Sequence, residues 1–175
     1  MFQAMERERD LGIFLSHLKE AGLTTMLDSD DEEDKISSAG FTLFAPTDRA
    51  WAKANFFLVR WEVAQPALPI FQRFQIPRKD LRDLLRDEEA LLALLQRHIG
   101  TKEVFAKDIL PKEGESSRSI LVPTLGGEYV SVSGSRNAKG SGERVRVMSS
   151  VTAAEVKEKE IVASNGVIHI VGTVL

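Results

Sequence analysis

The chain has 175 residues, of which 43% are hydrophobic, and this is enough for one sizeable core and short for two. Its formal net charge of −3 argues against a nucleic-acid partner, because such a partner calls for a basic face. The lack of cysteine excludes disulfides, thiolate metal sites and cysteine nucleophiles.

The first predicted element is an amphipathic helix over residues 8–21. Its apolar side chains recur at helical spacing, and Gly22 follows as a stop. These side chains are Leu11, Phe14, Leu15 and Leu18. Residues 28–34 then place six carboxylates in seven positions. They lack the glycine and the spaced terminal glutamate of an EF-hand, so the pattern favours a solvated loop over a calcium site.

A buried strand that turns directly into a short helix is predicted at residues 41–51. Phe41 to Ala45 is an apolar run, and Pro46 ends it because proline cannot donate to a sheet ladder. Thr47 is placed to cap a helix that begins at Asp48, whose charge suits the first turn.

Residues 55–79 are rich in large aromatic side chains and contain three prolines. The aromatic residues are Phe56, Phe57, Trp61, Phe71 and Phe74. One interpretation is an extra helix and loop packed over the core. The other is an exposed apolar patch that meets a partner.

Two further helices are predicted over residues 80–86 and 88–99, with Asp87 as the cap of the second and Gly100 as its end. The predicted buried face consists of Leu84, Leu85, Leu91, Leu92, Leu95 and Ile99. His98 lies at the end of this face, so we expect it to make a hydrogen bond within the fold.

The second half of the chain has the pattern of strands. Strands are predicted at residues 120–123, 128–132 and 144–148, with a Gly/Ser-rich turn at residues 133–142. Val156 and Ile161-Val162 lead into an Asn165-Gly166 turn and a last apolar strand. In that strand Val167, His169 and Val171 share one face, whereas Ile168 and Ile170 share the other. Helices on one side of a mainly β half predict an α+β domain.

Three stretches of this sequence resemble the fasciclin domain family. FTLFAPTDRAW at residues 41–51 resembles the first box of the family, and NGVIHIVGTVL at residues 165–175 resembles the second. LLQRHI at residues 94–99 is similar to the leucine-rich segment of the family, with Arg97 in place of a tyrosine. The resemblance implies a twisted β-wedge with a helical layer, in one domain that spans residues 1–175 with its core at 8–175.

The resemblance also implies which residues form the structural motif, and it makes residues 55–79 an insertion. The motif residues are Phe44, Ala45, Pro46, Thr47, Asp48, His98, Asn165, Gly166 and His169. His98 and His169 fall in boxes that the family brings together, but two histidines alone are a poor metal site. No metal or other cofactor is therefore expected.

The sequence contains no spacing typical of a catalytic triad, a metal motif or a phosphate loop. The resemblance implies a non-enzymatic extracellular module that binds matrix, a cell-surface protein or a polysaccharide. A segment of some family members that is proposed to bind integrins corresponds here to residues 158–162, where its acid-then-isoleucine pair is present as Glu160-Ile161, with glutamate in place of the aspartate. We predict that partner contacts involve these two residues and the five aromatic residues of the insertion.

The alternative hypothesis is a carrier of a small hydrophobic ligand, or an enzyme, that uses the aromatic insertion as the wall of a pocket. No apolar run approaches the ~20 residues of a membrane helix, and the first ten residues are too charged for a signal peptide. The resemblance implies a secreted or cell-surface location, with any signal or anchor outside this sequence.

Overall fold

The computed structural model describes residues 1–28, 40–61, 85–112, 115–136, 143–150 and 152–175. The side chains of residues 55–61 are not among the described features. The helices are α1 (Phe2–Glu6), α2 (Gly12–Glu20, after a 3₁₀ turn at Arg9–Leu11), α3 (Thr24–Asp28), α4 (Asp48–Trp61), α5 (Glu88–Arg97) and α6 (Ala106–Ile109). The strands are β1 (Phe41–Pro46), β2 (Ile99–Gly100), β3 (Ser117–Pro123), β4 (Tyr129–Arg136), β5 (Glu143–Met148), β6 (Ala153–Ala163) and β7 (Gly166–Val171).

The described strands form one seven-stranded sheet in the order β2-β1-β7-β6-β5-β4-β3. Strands β1 and β7 are parallel, and every other pair is antiparallel. A bridge between Gly100 and Thr124 joins β2 to the end of β3, so the two edges of the sheet meet at one end. The predicted α+β wedge is thereby confirmed.

Strands β1 and β7 bury both of their faces, as the apolar runs predict. On one face Leu43 and Ala45 lie in register with Ile168 and Ile170 and belong to a core shared with the helices. On the other face Phe44 lies in register with His169 and packs with the valines of β3, β4 and β5. The predicted division of β7 into two faces is confirmed.

The helix α2 confirms the first predicted stripe, since Leu11, Phe14, Leu15 and Leu18 are all buried. Gly22 follows it with φ +68°, the conformation in which glycine commonly ends a helix. His17 lies over Trp51 with ring centroids 5.1 Å apart and bonds to Glu20 at 3.1 Å.

The corner between β1 and α4 is built by Thr47. The Ala50 amide donates to Thr47 Oγ1 at 3.2 Å, and Thr47 is only 2% exposed. The strand runs one residue further than predicted, because Pro46 remains in register with Val171. The helix α4 is longer than predicted and continues to Trp61.

Replacing Thr47 by alanine should lower the free energy of unfolding by about 0.5 to 2 kcal/mol, because the Ala50 amide loses the bond to Thr47 Oγ1 and keeps only its bond to Thr47 O at 2.8 Å. The shift of the urea denaturation midpoint measures this loss, provided that the dependence of the unfolding free energy on urea concentration is unchanged. Thr47→Ser keeps the hydroxyl oxygen and serves as the control. A midpoint for Thr47→Ala equal to that of the parent would show that the cap does not stabilise this corner.

The prediction that a helix runs from residue 88 to Ile99 is partly wrong. Asp87 does cap α5, with the Ala90 amide donating to Asp87 Oδ1 at 3.3 Å. The helix ends at Arg97, because His98 O accepts a hydrogen bond from the Phe44 amide at 2.9 Å and the chain enters β2. Gly100 therefore lies in the sheet, where an added Cβ would be 2.7 Å from Val122 Cγ1.

The strands predicted in the second half are found at the expected positions, but they are longer than predicted. Strand β6 is one long strand from Ala153 to Ala163, of which the sequence pattern indicated only fragments. Three other predictions lie largely outside the described residues. These are the acidic loop at 28–34, the helix at 80–86 and the tip of the turn at 137–142.

Candidate functional site

His98 is completely buried between α5 and the C-terminal segment. Its Nδ1 lies 2.8 Å from Leu94 O, and the Leu175 amide donates to its Nε2 at 3.0 Å. The carbonyl accepts and the amide donates, so the ring is neutral with its proton on Nδ1. Phe14 packs against it with ring centroids 5.7 Å apart. The predicted internal hydrogen bond is present, and a second one joins it.

Burial lowers the pKa of His98 from its usual 6.5 to about 4, although the hydrogen bond to Leu94 raises it and the nearby Arg97 lowers it further. The ring therefore remains neutral across the physiological range. Both nitrogens are already occupied by backbone groups, so this histidine has no free atom for a ligand.

The stability of the domain should fall as the pH decreases from 6.5 to 4. In this window the unfolded chain binds a proton on His98 and the folded chain does not, so protonation favours unfolding by about 3 kcal/mol at its limit. Unfolding free energies measured from pH 8 to pH 4 check this. His98→Gln should have a shallower slope below pH 6.5 and a parallel curve above it; identical slopes in the window would contradict the assignment.

His169 is the second buried histidine. It lies beside Phe44, on the face of β7 that points away from the core shared with the helices. Its Nε2 donates to Val104 O at 2.7 Å, and its ring stacks on Phe44 with centroids 6.0 Å apart. Its Nδ1 has no hydrogen-bond partner among the described residues and faces Glu160 Oε2 at 3.9 Å. Burial lowers the pKa of His169, whereas the bond to Val104 and the charge of Glu160 raise it.

Glu160, a predicted partner contact, is used inside the fold. Its Oε2 accepts from the Ala106 amide at 2.5 Å at the start of α6. Ile161 is half-buried and packs against the core that the sheet shares with the helices. The neighbouring Val162 is 65% exposed. Val162 is thus the exposed residue among the described side chains at 160–163.

The predicted turn at Asn165-Gly166 joins β6 to β7 and fastens both to the helices. Asn165 Nδ2 donates to Leu27 O, and Asn165 O accepts from the Phe41 amide at 3.1 Å. Gly166 has φ +153°, and an added Cβ would lie 2.1 Å from Phe41 O. The turn requires glycine for its backbone angle and for its approach to β1.

The two buried histidines have different partners, although both lie beside Phe44. The Phe44 amide bonds to the carbonyl of His98, and the Phe44 ring stacks on His169. Among the described residues, no group of three or more His, Cys, Asp or Glu side chains could hold a metal ion.

The structure shows two polar contacts that the sequence analysis missed. Thr42 is buried within β1, where its hydroxyl donates to Lys102 O at 2.7 Å and accepts from the Val104 amide at 2.8 Å. Thr42 is the one hydroxyl residue in the apolar run of residues 41–45, and this could have indicated a buried hydrogen bond. Arg97, in place of the family tyrosine, forms two bonds with Glu128 at 2.9 and 3.1 Å.

The aromatic residues proposed for partner contact fall at the limit of the described chain. Phe56, Phe57 and Trp61 belong to helix α4. The structure describes the backbone at these positions but not the side chains. Phe71 and Phe74 lie outside the described residues.

The outward face of β3, β4 and β5 carries exposed apolar side chains. Leu121 and Met148 are both in register with Ser131, and they are 62% and 49% exposed. Tyr129, two residues before Ser131 on the same face, is 65% exposed. Towards the other end the face becomes polar, with Ser133 and Arg146 in register.

Comparison with known proteins agrees with this architecture. The fasciclin domain model matches residues 9–175. A similar solved structure is a FAS1 domain pair from the insect cell adhesion molecule Fasciclin I, with a TM-score of 0.63 and 19% sequence identity. The match covers 95% of this chain and 45% of that one, so the chain spans less than half of the domain pair.

In the part of the chain that is described, no helix combines the length and apolarity needed to cross a membrane. The boxes at residues 41–51 and 165–175 contain the paired parallel strands β1 and β7, and the segment at 94–99 supplies the buried His98. With the family model matching residues 9–175, the chain belongs to the fasciclin domain family.

Proposed function

We propose that this domain is a non-enzymatic extracellular binding module that adheres to a matrix protein, a cell-surface protein or a polysaccharide. The observation that carries the proposal is the family match over residues 9–175, together with a similar fold in a cell adhesion molecule. The proposed location is secreted or cell-surface.

The internal use of the motif side chains supports a binding role over chemistry. Both ring nitrogens of His98 bond to backbone groups, and the Thr47 hydroxyl caps a helix. Glu160 bonds to a backbone amide. Side chains held in this way build a scaffold, and recognition then belongs to its surface.

A binding panel tests this function. The purified protein is applied to immobilised matrix proteins, polysaccharides and intact cells, with heat-unfolded protein as the control. We expect saturable binding to at least one surface by the folded protein only. A complete lack of binding, combined with a dose-dependent rise in melting temperature with small hydrophobic ligands, would overturn the proposal in favour of a carrier.

The proposed contact residues are the aromatic side chains of the insertion together with the part of β6 around Glu160 and Ile161. Large aromatic residues are enriched at protein interfaces, where each buries much apolar area. On β6, Glu160 is held by the Ala106 amide and Ile161 faces the core, so Val162 offers the outward contact.

A further inference from the structure

Strand β3 forms one edge of the sheet, and its hydrogen-bonding pattern shows which of its backbone groups point away from β4. The Thr124 amide bonds to Glu128 O at 2.8 Å, so residue 124 faces the β4 side. Pro123 O instead accepts from the Thr101 amide at 2.9 Å on the opposite side. Because these directions alternate along a strand, the N–H and C=O groups of Ser117, Ser119 and Leu121 all point outward.

No hydrogen bond from another described residue reaches these outward groups. Within the described ranges, the only backbone contacts beside the edge are at its end, where Thr101 meets Pro123 and Gly100 bridges Thr124. The side chains of Ser117, Ser119 and Leu121 are exposed. Proteins usually protect such an edge with lysine, an internal proline or a bulge. The one charged residue of strand β3 is Arg118, which is partly buried, and the proline of the strand is its last residue.

We propose that this edge pairs with the same edge of a second copy of the chain. Two copies of β3 in antiparallel orientation, related by a two-fold axis at Ser119, place Ser119 opposite its symmetry mate and Ser117 opposite Leu121. In this register all three outward-pointing residues of each copy meet outward-pointing residues, and the two sheets become continuous. A shift of two residues in either direction leaves one of the three without a partner.

The side chains of β3 are compatible with this self-pairing. Each pair of outward-pointing residues that meets across the joint contains at least one serine. The serine side chain is small enough for the two strands to approach closely. Arg118 is opposite Ile120, so no like charges face each other across the joint. A two-fold joint of this kind closes after two copies. This inference goes beyond the proposed function and does not depend on it.

Sedimentation equilibrium of the wild-type protein measures the association directly. We expect a monomer–dimer equilibrium with a dissociation constant on the order of 10 to 100 μM, since one strand edge offers few hydrogen bonds. Ser119→Pro should raise this constant by at least about 100-fold, because it removes an outward amide and no bond to β4. Ser119→Ala is the matched control, as both variants lose the hydroxyl bond to Ser131 at 2.9 Å.

Single cysteines test the register in a chain that has no native cysteine. In the proposed dimer the two copies of residue 119 have Cα atoms about 5.5 Å apart, within the range for a disulfide. The two copies of residue 117 are separated by about 13 Å along the strands. Ser119→Cys should therefore form a covalent dimer under mild oxidation and Ser117→Cys should not. A wild-type protein that remains monomeric at millimolar concentration, or equal cross-linking of both variants, would overturn the proposal.

Discussion

His98→Ala should lower the free energy of unfolding by about 3 to 5 kcal/mol, which for a domain of this size corresponds to a melting temperature lower by roughly 10 °C. The substitution leaves the buried Leu175 amide and the Leu94 carbonyl without partners. It also removes a ring packed against Phe14 in the core. Differential scanning calorimetry measures the change.

His98→Gln is the control for this prediction. A glutamine side chain can still donate and accept hydrogen bonds, so it should recover part of the stability that alanine loses. The packing of Phe14 is restored only in part, because the shapes differ. If the His98→Ala variant and the parent protein melted at the same temperature, the two hydrogen bonds of His98 would not stabilise the fold.

Gly166→Ala should be similarly severe, with a loss of about 3 kcal/mol or more. A methyl group there would lie 2.1 Å from Phe41 O, so β1 and β7 would have to separate at the start of their pairing. The backbone angle of +153° adds strain for any residue that carries a Cβ. Chemical denaturation of the purified variant gives the magnitude.

Gly172→Ala provides the matched control in the same C-terminal segment. An added Cβ at residue 172 meets its nearest atom, Glu155 O, at 3.9 Å, an ordinary contact. Its effect should stay within about 1 kcal/mol. Equal losses in the two glycine variants would show that the close approach of Gly166 to Phe41 is not the cause.

Much of the fold could be predicted because local signals coincided with tertiary requirements. The run at residues 41–45 is apolar at nearly every position, and a strand of this kind must be covered on both faces. The Thr47 and Asp87 caps follow from local chemistry, since each side chain serves an amide three residues later. The burial of His98 followed from its place in the leucine stripe.

What could not be predicted depends on residues distant in sequence. The two-residue strand β2 exists because Ile99 and Gly100 pair with β1, and no local period shows a strand that short. Thr42 binds groups about sixty residues away, and Arg97 binds Glu128 across the fold. The register that leaves Leu121, Tyr129 and Met148 outward likewise arises from strand pairing.

The partner site is the part that the family motifs predict least. Motif residues such as His98 and Thr47 specify the scaffold, and their contacts are internal. We propose that residues 55–79 are an insertion, and their aromatic side chains are the proposed contact surface. Its role is therefore separable from that of the motif by experiment.

The central claim is that buried motif residues build the domain while the aromatic insertion recognises the partner. The most direct test measures melting temperature and partner affinity together, using the partner from the binding panel. In one variant residues 62–79 are replaced by a short Gly/Ser linker; the other is His98→Ala. The deletion removes Phe71 and Phe74 and keeps Phe56, Phe57 and Trp61. We expect that the deletion variant stays folded and binds more weakly, whereas folded His98→Ala melts earlier and binds with unchanged affinity. Unchanged binding by the deletion variant, or lost binding by a His98→Ala protein of normal stability, would contradict the claim.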